Sequence, residues 1–320
     1  MEIGSFIELQ MPNGLEFYSN KENIARLNSG RAAIYHALTI LKCNTVWLPF
    51  YQCETVRDFL KKKGIIIKYY HINNDFEPID LNEVSQDEAA VIVNYFGIMS
   101  IERMKKRRLD IKNVIFDNSQ AFFSPPAKHA MNVYSTRKFF GVPDGAYVIG
   151  DNAHYGIENY PQGYSSDTAL FLLLRIEYGC EGKAYNSKIE NDKRIDSEDI
   201  CQMSTLTHRL LDGIDYSYIK QKRQENFKIA SNLFKDINKI DPLQFIDDKC
   251  VPMVYPLVVE DEKLLDRLLT AKHFQGHWWS YLLSEVSSYR FEYWLSRYMV
   301  PITIDQRYSE NDLRYLRKIV

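Results

Sequence analysis

One lysine in the stretch NVYSTRKFFGVPDGAYVIG, residues 132–150, has an unusual setting. Lys138 lies between Arg137 and the pair Phe139 and Phe140, with Ser135 shortly before it and Gly141, Pro143 and Gly145 after it. A lone lysine is ordinarily a solvated cation. An amine kept unprotonated by apolar or cationic neighbours forms imines with aldehydes, and Arg137 with the two phenylalanines could supply both influences.

Three further stretches carry chemistry. VIFDNSQAF places Asp117 directly after an apolar run, with Gln120 close behind. An Asp there is commonly a turn former. It is also the group that would favour the protonated form of a pyridine nitrogen, and a pyridinium is a strong electron sink. NSGRAAIYHAL opens a helix at Gly30, capped by Ser29. Free N–H groups at such a start bind phosphate with the help of the helix dipole, and Arg31 adds a cation, although most Ser-Gly starts are only caps. In WLPFYQCETV, Pro49 closes a strand and Tyr51 follows at its exit. An aromatic ring there either packs or stacks on a flat cofactor.

The elements that must position these residues alternate. Residues up to 28 read as an extended arm. Helices are expected over 30–42, 53–64, 81–85 and 101–110, and strands over 45–50, 65–72, 89–96, 113–118 and 145–150. Alternation predicts parallel pairing, and ligands gather at the carboxyl ends of such strands. That edge receives Tyr51, Asn94 and Asp117. Beyond it, helices are expected over 165–177, 197–211, 214–239, 262–272 and 310–319, and strands over 252–259 and 299–304. Ser309 and Asp312 resemble a capping box. The reading is an α/β protein with a mostly parallel sheet flanked by helices: an arm and large domain over 1–214 and a small α+β domain over 215–320.

Composition narrows the class. The 320 residues are 45% hydrophobic with a formal net charge of -2, which makes no electrostatic case for nucleic acid or an anionic membrane. The basic run RMKKRR, residues 103–108, lacks interleaved aromatics and reads as a solvated helix face. Five cysteines without a C-x-x-C pair point to a reducing compartment and against structural zinc. His273 and His277 lack the Glu of H-E-x-x-H, so no metal is expected. The start MEIGSFIELQMPNG shows no secretory pattern, and the apolar runs are too short to span a bilayer. The expectation is a soluble, cytoplasmic protein.

The order of the parts resembles fold-type-I enzymes that use pyridoxal 5′-phosphate and, more narrowly, the DegT/DnrJ/EryC1/StrS family of sugar aminotransferases. NSGRAA resembles the family's Ser-Gly-Thr-Ala-Ala phosphate loop, VIVNYFG its Val-His-Leu-Tyr-Gly strand, FDNSQAF its Asp-x-Ala-Gln-Ala motif and IDQRYSENDLRYL its C-terminal Asp-x-Arg-Tyr ending. The resemblance implies that Lys138 holds the cofactor aldehyde, Asp117 the ring nitrogen and Gln120 a position near the ring hydroxyl. Ser135 would contact the phosphate with Gly30 and Arg31, Tyr51 would stack on the ring, and Asn94 would lie near the ring oxygen. It also implies amino transfer from glutamate or glutamine to a nucleotide-linked keto-sugar, in surface-polysaccharide or secondary-metabolite synthesis, by a homodimer. Several features depart from the family and suggest a divergent short branch: Asn94 stands where the family more often has His, and the chain is somewhat short. Arg31 replaces a small hydroxyl residue, Val-Pro-Asp-Gly at 142–145 replaces Gly-Glu-Gly-Gly, and Ser-x-x-Lys follows the wider fold-type-I spacing.

Trp278 and Trp279 in GHWWSY either line a sugar pocket or pack the small domain, and Arg307 either binds an anion or pairs with Asp305. Alternative readings are a cofactor-dependent lyase or dehydratase, in which related enzymes carry histidine in place of the lysine, and a non-catalytic sugar- or protein-binding relative. No G-x-G-x-x-G follows the first strand, which argues against a dinucleotide enzyme.

Overall fold

Ala89–Val93 and Asn113–Asp117 are buried at every position, as strands covered on both faces must be. They form the middle of an eight-stranded sheet. The computed structural model describes residues 3–81, 83–106 and 111–320. In chain order its elements begin with β1 (Ile24–Leu27), α1 (Gly30–Leu41), β2 (Thr45–Pro49), α2 (Glu54–Lys62), β3 (Ile66–Ile72), β4 (Pro78–Ile79), β5 (Ala89–Val93), α3 (Ile101–Lys106), β6 (Asn113–Asp117), β7 (Met131–Ser135) and β8 (Ala146–Ile149). The strands lie in the order β1-β8-β7-β6-β5-β2-β3-β4. Pairing is parallel from β7 through β6, β5 and β2 to β3, while β8 is antiparallel to both β7 and β1.

The chain continues through α4 (Leu170–Tyr178), α5 (Lys183–Ser197), α6 (Thr205–Asp212) and α7 (Tyr216–Phe234). The remaining elements are β9 (Val254–Val258), α8 (Leu264–Thr270), α9 (Leu282–Glu285), α10 (Phe291–Tyr298), β10 (Met299–Thr303) and α11 (Glu310–Ile319). β9 and β10 form a separate antiparallel pair against which α7 packs. The capping box at Ser309 and Asp312 is present at the start of α11. Among the described residues no helix is long and apolar enough to cross a membrane.

Four expectations need correction. Ile24–Leu27 is a strand rather than arm, because β8 offers it an antiparallel edge. Residues 83–85 form no helix, and Asn82 lies outside the described residues. The helix expected over 197–211 is confined to α6: residues 198–203 cross over in bridges from Gln202 to Leu27 and Gln162, and α6 begins after Ser204, whose side chain accepts from the Thr207 N–H. β4, β7, α5, α9 and α10 were not expected at all. The basic run occupies α3 as far as Lys106, and Arg107 and Arg108 lie outside the described residues.

A candidate active site at the carboxyl edge of the sheet

The parallel strands share one carboxyl edge, and the register brings α1 to it. Ser135 faces Ala146, and Ala146 faces Leu27, so β1 and β7 end at the same edge with the start of β8 between them. The Gly145 N–H donates to the Asn28 carbonyl at 2.9 Å, and the Thr136 N–H to the Gly145 carbonyl at 3.1 Å. Gly145 can serve there because its φ is +114° and a Cβ would lie 2.5 Å from Thr136 Oγ1. Just beyond, Ser29 Oγ accepts from the Ala32 N–H at 3.3 Å. The first-turn N–H groups of Gly30 and Arg31 have no partner among the described residues. A Cβ on Gly30 would sit 3.3 Å from Ser119 Oγ, which shows how closely the helix start approaches the segment after Asp117.

Asp117 ends β6 and is buried. Its Oδ1 accepts from the Ser119 N–H at 2.9 Å and its Oδ2 from Gln52 Nε2 at 3.1 Å. Asn94, at the exit of β5, is held to Asp117 through its backbone: the Asn94 N–H donates to the Asp117 carbonyl at 3.0 Å. The Asn94 side chain is occupied by both backbone groups of Met99 and by Asn118. Gln120 Oε1 accepts from the Phe96 N–H at 2.8 Å, which braces Phe96 at a φ of 58°.

Lys138 rides on the turn that follows β7. The two phenylalanines after it point inward: Phe139 and Phe140 are buried, and Phe140 meets Phe122 edge-on at 4.7 Å. They therefore anchor the turn rather than wrap the amine. Arg137 is drawn away to Asp192 on α5. Lys138 itself is exposed and has no hydrogen-bond or ion-pair partner among the described residues. The turn is clamped from the C-terminal part of the chain. Arg223 stacks 4.5 Å from the Phe139 ring centre, and Gln306 Nε2 donates to the Phe139 carbonyl at 3.3 Å. Asp144, where the resembling family has glycine, is wholly buried. Burial pushes its carboxyl up against the opposing hydrogen bonds from Thr207 and Ser204, which tie the turn to α6.

The other candidates are placed as follows. The Arg31 guanidinium turns to α5, where it binds Asp196 at 2.7 Å and the Ile195 carbonyl. Tyr51 is fully buried, with Trp279 edge-on at 4.4 Å and Tyr95 at 5.6 Å, and its hydroxyl has no partner among the described residues. Trp278 stacks on Phe96 at 5.6 Å. Both tryptophans thus pack the 276–281 segment onto the exits of β2 and β5. Arg307 forks onto Asp305 at 2.9 and 2.7 Å. Burial would raise the Asp305 carboxyl, but Arg307 holds it below its ordinary value. Arg307 also lines a cleft of about 920 Å³ between α4 and α5 on one side and the 271–276 and 303–316 segments on the other. Gly141 places the lysine turn at that cleft's wall.

Sequence reasoning missed Gln52 and Tyr281. Gln52 bonds to Asp117 across 65 positions, and the Tyr281 hydroxyl donates to the Gln52 carbonyl at 2.6 Å. The only signal was that Gln52 adjoins Tyr51 at the same strand exit.

No family model and no curated protein matches this chain. Solved structures do match its fold. The sugar aminotransferase CalS13 from Micromonospora echinospora superimposes with a TM-score of 0.60 over 94% of this chain and 87% of its own, at 15% identity. A DegT DnrJ EryC1 StrS aminotransferase from Brucella abortus gives 0.62 over 94% and 86%, at 13% identity. The E. coli GDP-4-keto-6-deoxy-D-mannose-3-dehydratase, solved with bound hydrated PLP, gives 0.59 over 94% and 88%, at 13% identity. The class defined is structural: this chain has the fold of sugar aminotransferases and of a dehydratase related to them in architecture.

Proposed function

We propose that the chain is a pyridoxal-phosphate-dependent aminotransferase that moves an amino group from glutamate or glutamine to a nucleotide-linked keto-sugar. The observation that carries the reading is an exposed Lys138 after β7, the strand beside the one that ends in buried Asp117, at the same edge as two N–H groups of α1; Lys138 and both N–H groups have no partner among the described residues. These groups fit the cofactor. The Gly30 and Arg31 N–H groups and Ser135 would hold its phosphate, Asp117 its ring nitrogen, and Lys138 its aldehyde. Arg31 would serve through its backbone, since its side chain is committed to α5.

When bound, the cofactor supplies a carbonyl that captures amines and a protonated ring that takes up negative charge. The chain's own part is proton traffic and placement. The Lys138 amine would take the proton from the donor's α-carbon and deliver it to the cofactor's C4′, then reverse the transfer for the acceptor. Asp117 would keep the ring nitrogen protonated throughout. The cleft beside Gly141 would take the acceptor, with Arg307 at its wall. A dehydratase reading draws on the dehydratase among the structural neighbours; Lys138 favours transfer, because the reaction needs an amine there.

We further propose a boundary at Asp215, which caps α7, and a homodimer. No residue of α4 is buried, and Leu170, Leu173 and Ile176 expose apolar surface that a second copy would cover.

The test is the visible spectrum of the chain with pyridoxal phosphate, followed by borohydride and peptide mapping. A reducible band with its adduct on Lys138, lost in Lys138→Ala together with turnover, is expected. Amino-sugar product from a keto-sugar and glutamate separates transfer from dehydration. Full transamination by Lys138→Ala would refute the assignment.

A further inference from the structure

We infer that Gln52 is a positioning residue for Asp117, and that Tyr281 sets Gln52 from the C-terminal part of the chain; the inference rests on the cofactor reading above. Asp117 receives one neutral N–H on each oxygen, from Ser119 and from Gln52. The Ser119 bond is local and leaves the carboxylate plane free to turn about that oxygen. The Gln52 bond fixes the plane. With two donors in place, each oxygen keeps a lone pair for a further donor, and the direction of that lone pair is set.

The Gln52 side chain has no other partner among the described residues, so its aim depends on its backbone. That backbone is held at two points. Its N–H donates to the Phe50 carbonyl at 2.9 Å, and its carbonyl accepts from the Tyr281 hydroxyl at 2.6 Å. Tyr281 is itself pinned. The Arg57 guanidinium stacks 4.4 Å from its ring centre and forks onto Glu285 at 2.5 and 2.9 Å. A continuous chain of contacts thus runs from Glu285 on α9, through Arg57 on α2, Tyr281 and Gln52, to the carboxylate assigned to the ring nitrogen. Trp279 closes the same segment over Tyr51. Displacing the 276–281 segment would therefore turn Asp117 without touching it.

Gln52→Leu removes the donor and keeps the bulk; Tyr281→Phe removes only the hydroxyl and keeps the ring under Arg57. With pyridoxal phosphate labelled with ¹⁵N in the ring and bound at Lys138, the ¹⁵N shift reports whether the ring nitrogen is protonated. We expect Gln52→Leu to move it toward the unprotonated value and to lower kcat about a hundredfold at little change in KM, the scale of a small misplacement of a reacting group. Tyr281→Phe should move both in the same direction by less. A purely packing role would leave the ¹⁵N shift in place. An unchanged shift in Gln52→Leu with cofactor seated on Lys138 would overturn the inference.

The cofactor-free full chain gives an independent reading. Urea midpoints of Gln52→Leu, Asp117→Ala and the double variant should be non-additive. Additive midpoints would overturn the positioning role. Failure of the unaltered chain to take up cofactor would instead sink the proposed function, so the two failures are distinct.

Discussion

Glu16 gives the sharpest quantitative prediction. It lies where the N-terminal arm meets the sheet and is buried. Its Oε1 accepts from Arg26 on β1, and its Oε2 accepts from the Tyr147 hydroxyl on β8 at 2.7 Å, with His208 of α6 3.5 Å away. Burial alone would raise its carboxyl pKa. The hydrogen bonds from His208, Arg26 and Tyr147 outweigh that and bring it from 4.5 to about 2. A carboxyl depressed this far on folding contributes roughly 3 kcal/mol at neutral pH. The contribution is present above pH 4.5 and is lost as pH falls toward 2; by pH 3.5 roughly 1.4 kcal/mol of it has gone by the same linkage, a tenfold change in the folded ratio. Glu16→Gln keeps the shape and removes the charge. Urea unfolding of both proteins from pH 7 to 3.5 cancels every carboxylate they share. The variant should be roughly 3 kcal/mol less stable at pH 7, and the gap should shrink by about half by pH 3.5. A gap that stays constant or widens on acidification would refute the reasoning.

Three other outcomes follow from the same geometry. Gly145→Ala should cost about 2–3 kcal/mol in urea unfolding, since its φ of +114° and the 2.5 Å approach to Thr136 Oγ1 leave no room for a methyl. Ser29→Ala removes the cap of α1 and should lower stability by about 1 kcal/mol; it should also release pyridoxal phosphate faster on dialysis. Ile176→Glu places a charge on α4, where Ile176 is 82% exposed, and should shift the sedimentation profile to monomer without lowering monomer stability.

The large sheet was legible because its central strands are short, unbroken apolar runs. AAVIV and NVIFD admit no amphipathic helix, and the polar segments between them can only be crossovers. Asp117, Asn94 and Tyr51 were legible as strand exits for the same reason. β1 was not, because IARL is a strand only by virtue of its distant partner β8. α5 was not, because KAYNSKIENDKRIDS buries only Ala184, Asn191 and Ile195 and carries no apolar stripe. That omission had a consequence for the site. Arg31 and Arg137 looked available for chemistry because their partners, Asp196 and Asp192, sit on the unread helix. Gln52 was invisible for a different reason, since a single hydrogen bond between distant segments leaves no periodic trace.

The clamp on the lysine turn also dictates an order of events on the ribosome. Lys138 is polymerised well before Arg223 and Gln306, which grip Phe139. A nascent or truncated chain ending before Gln306 carries the Lys138 turn on an unfinished platform. Residues made late thus complete the support of one made early, and a chain cut between Thr303 and Gln306 loses the Gln306 contact before it loses any residue of a strand.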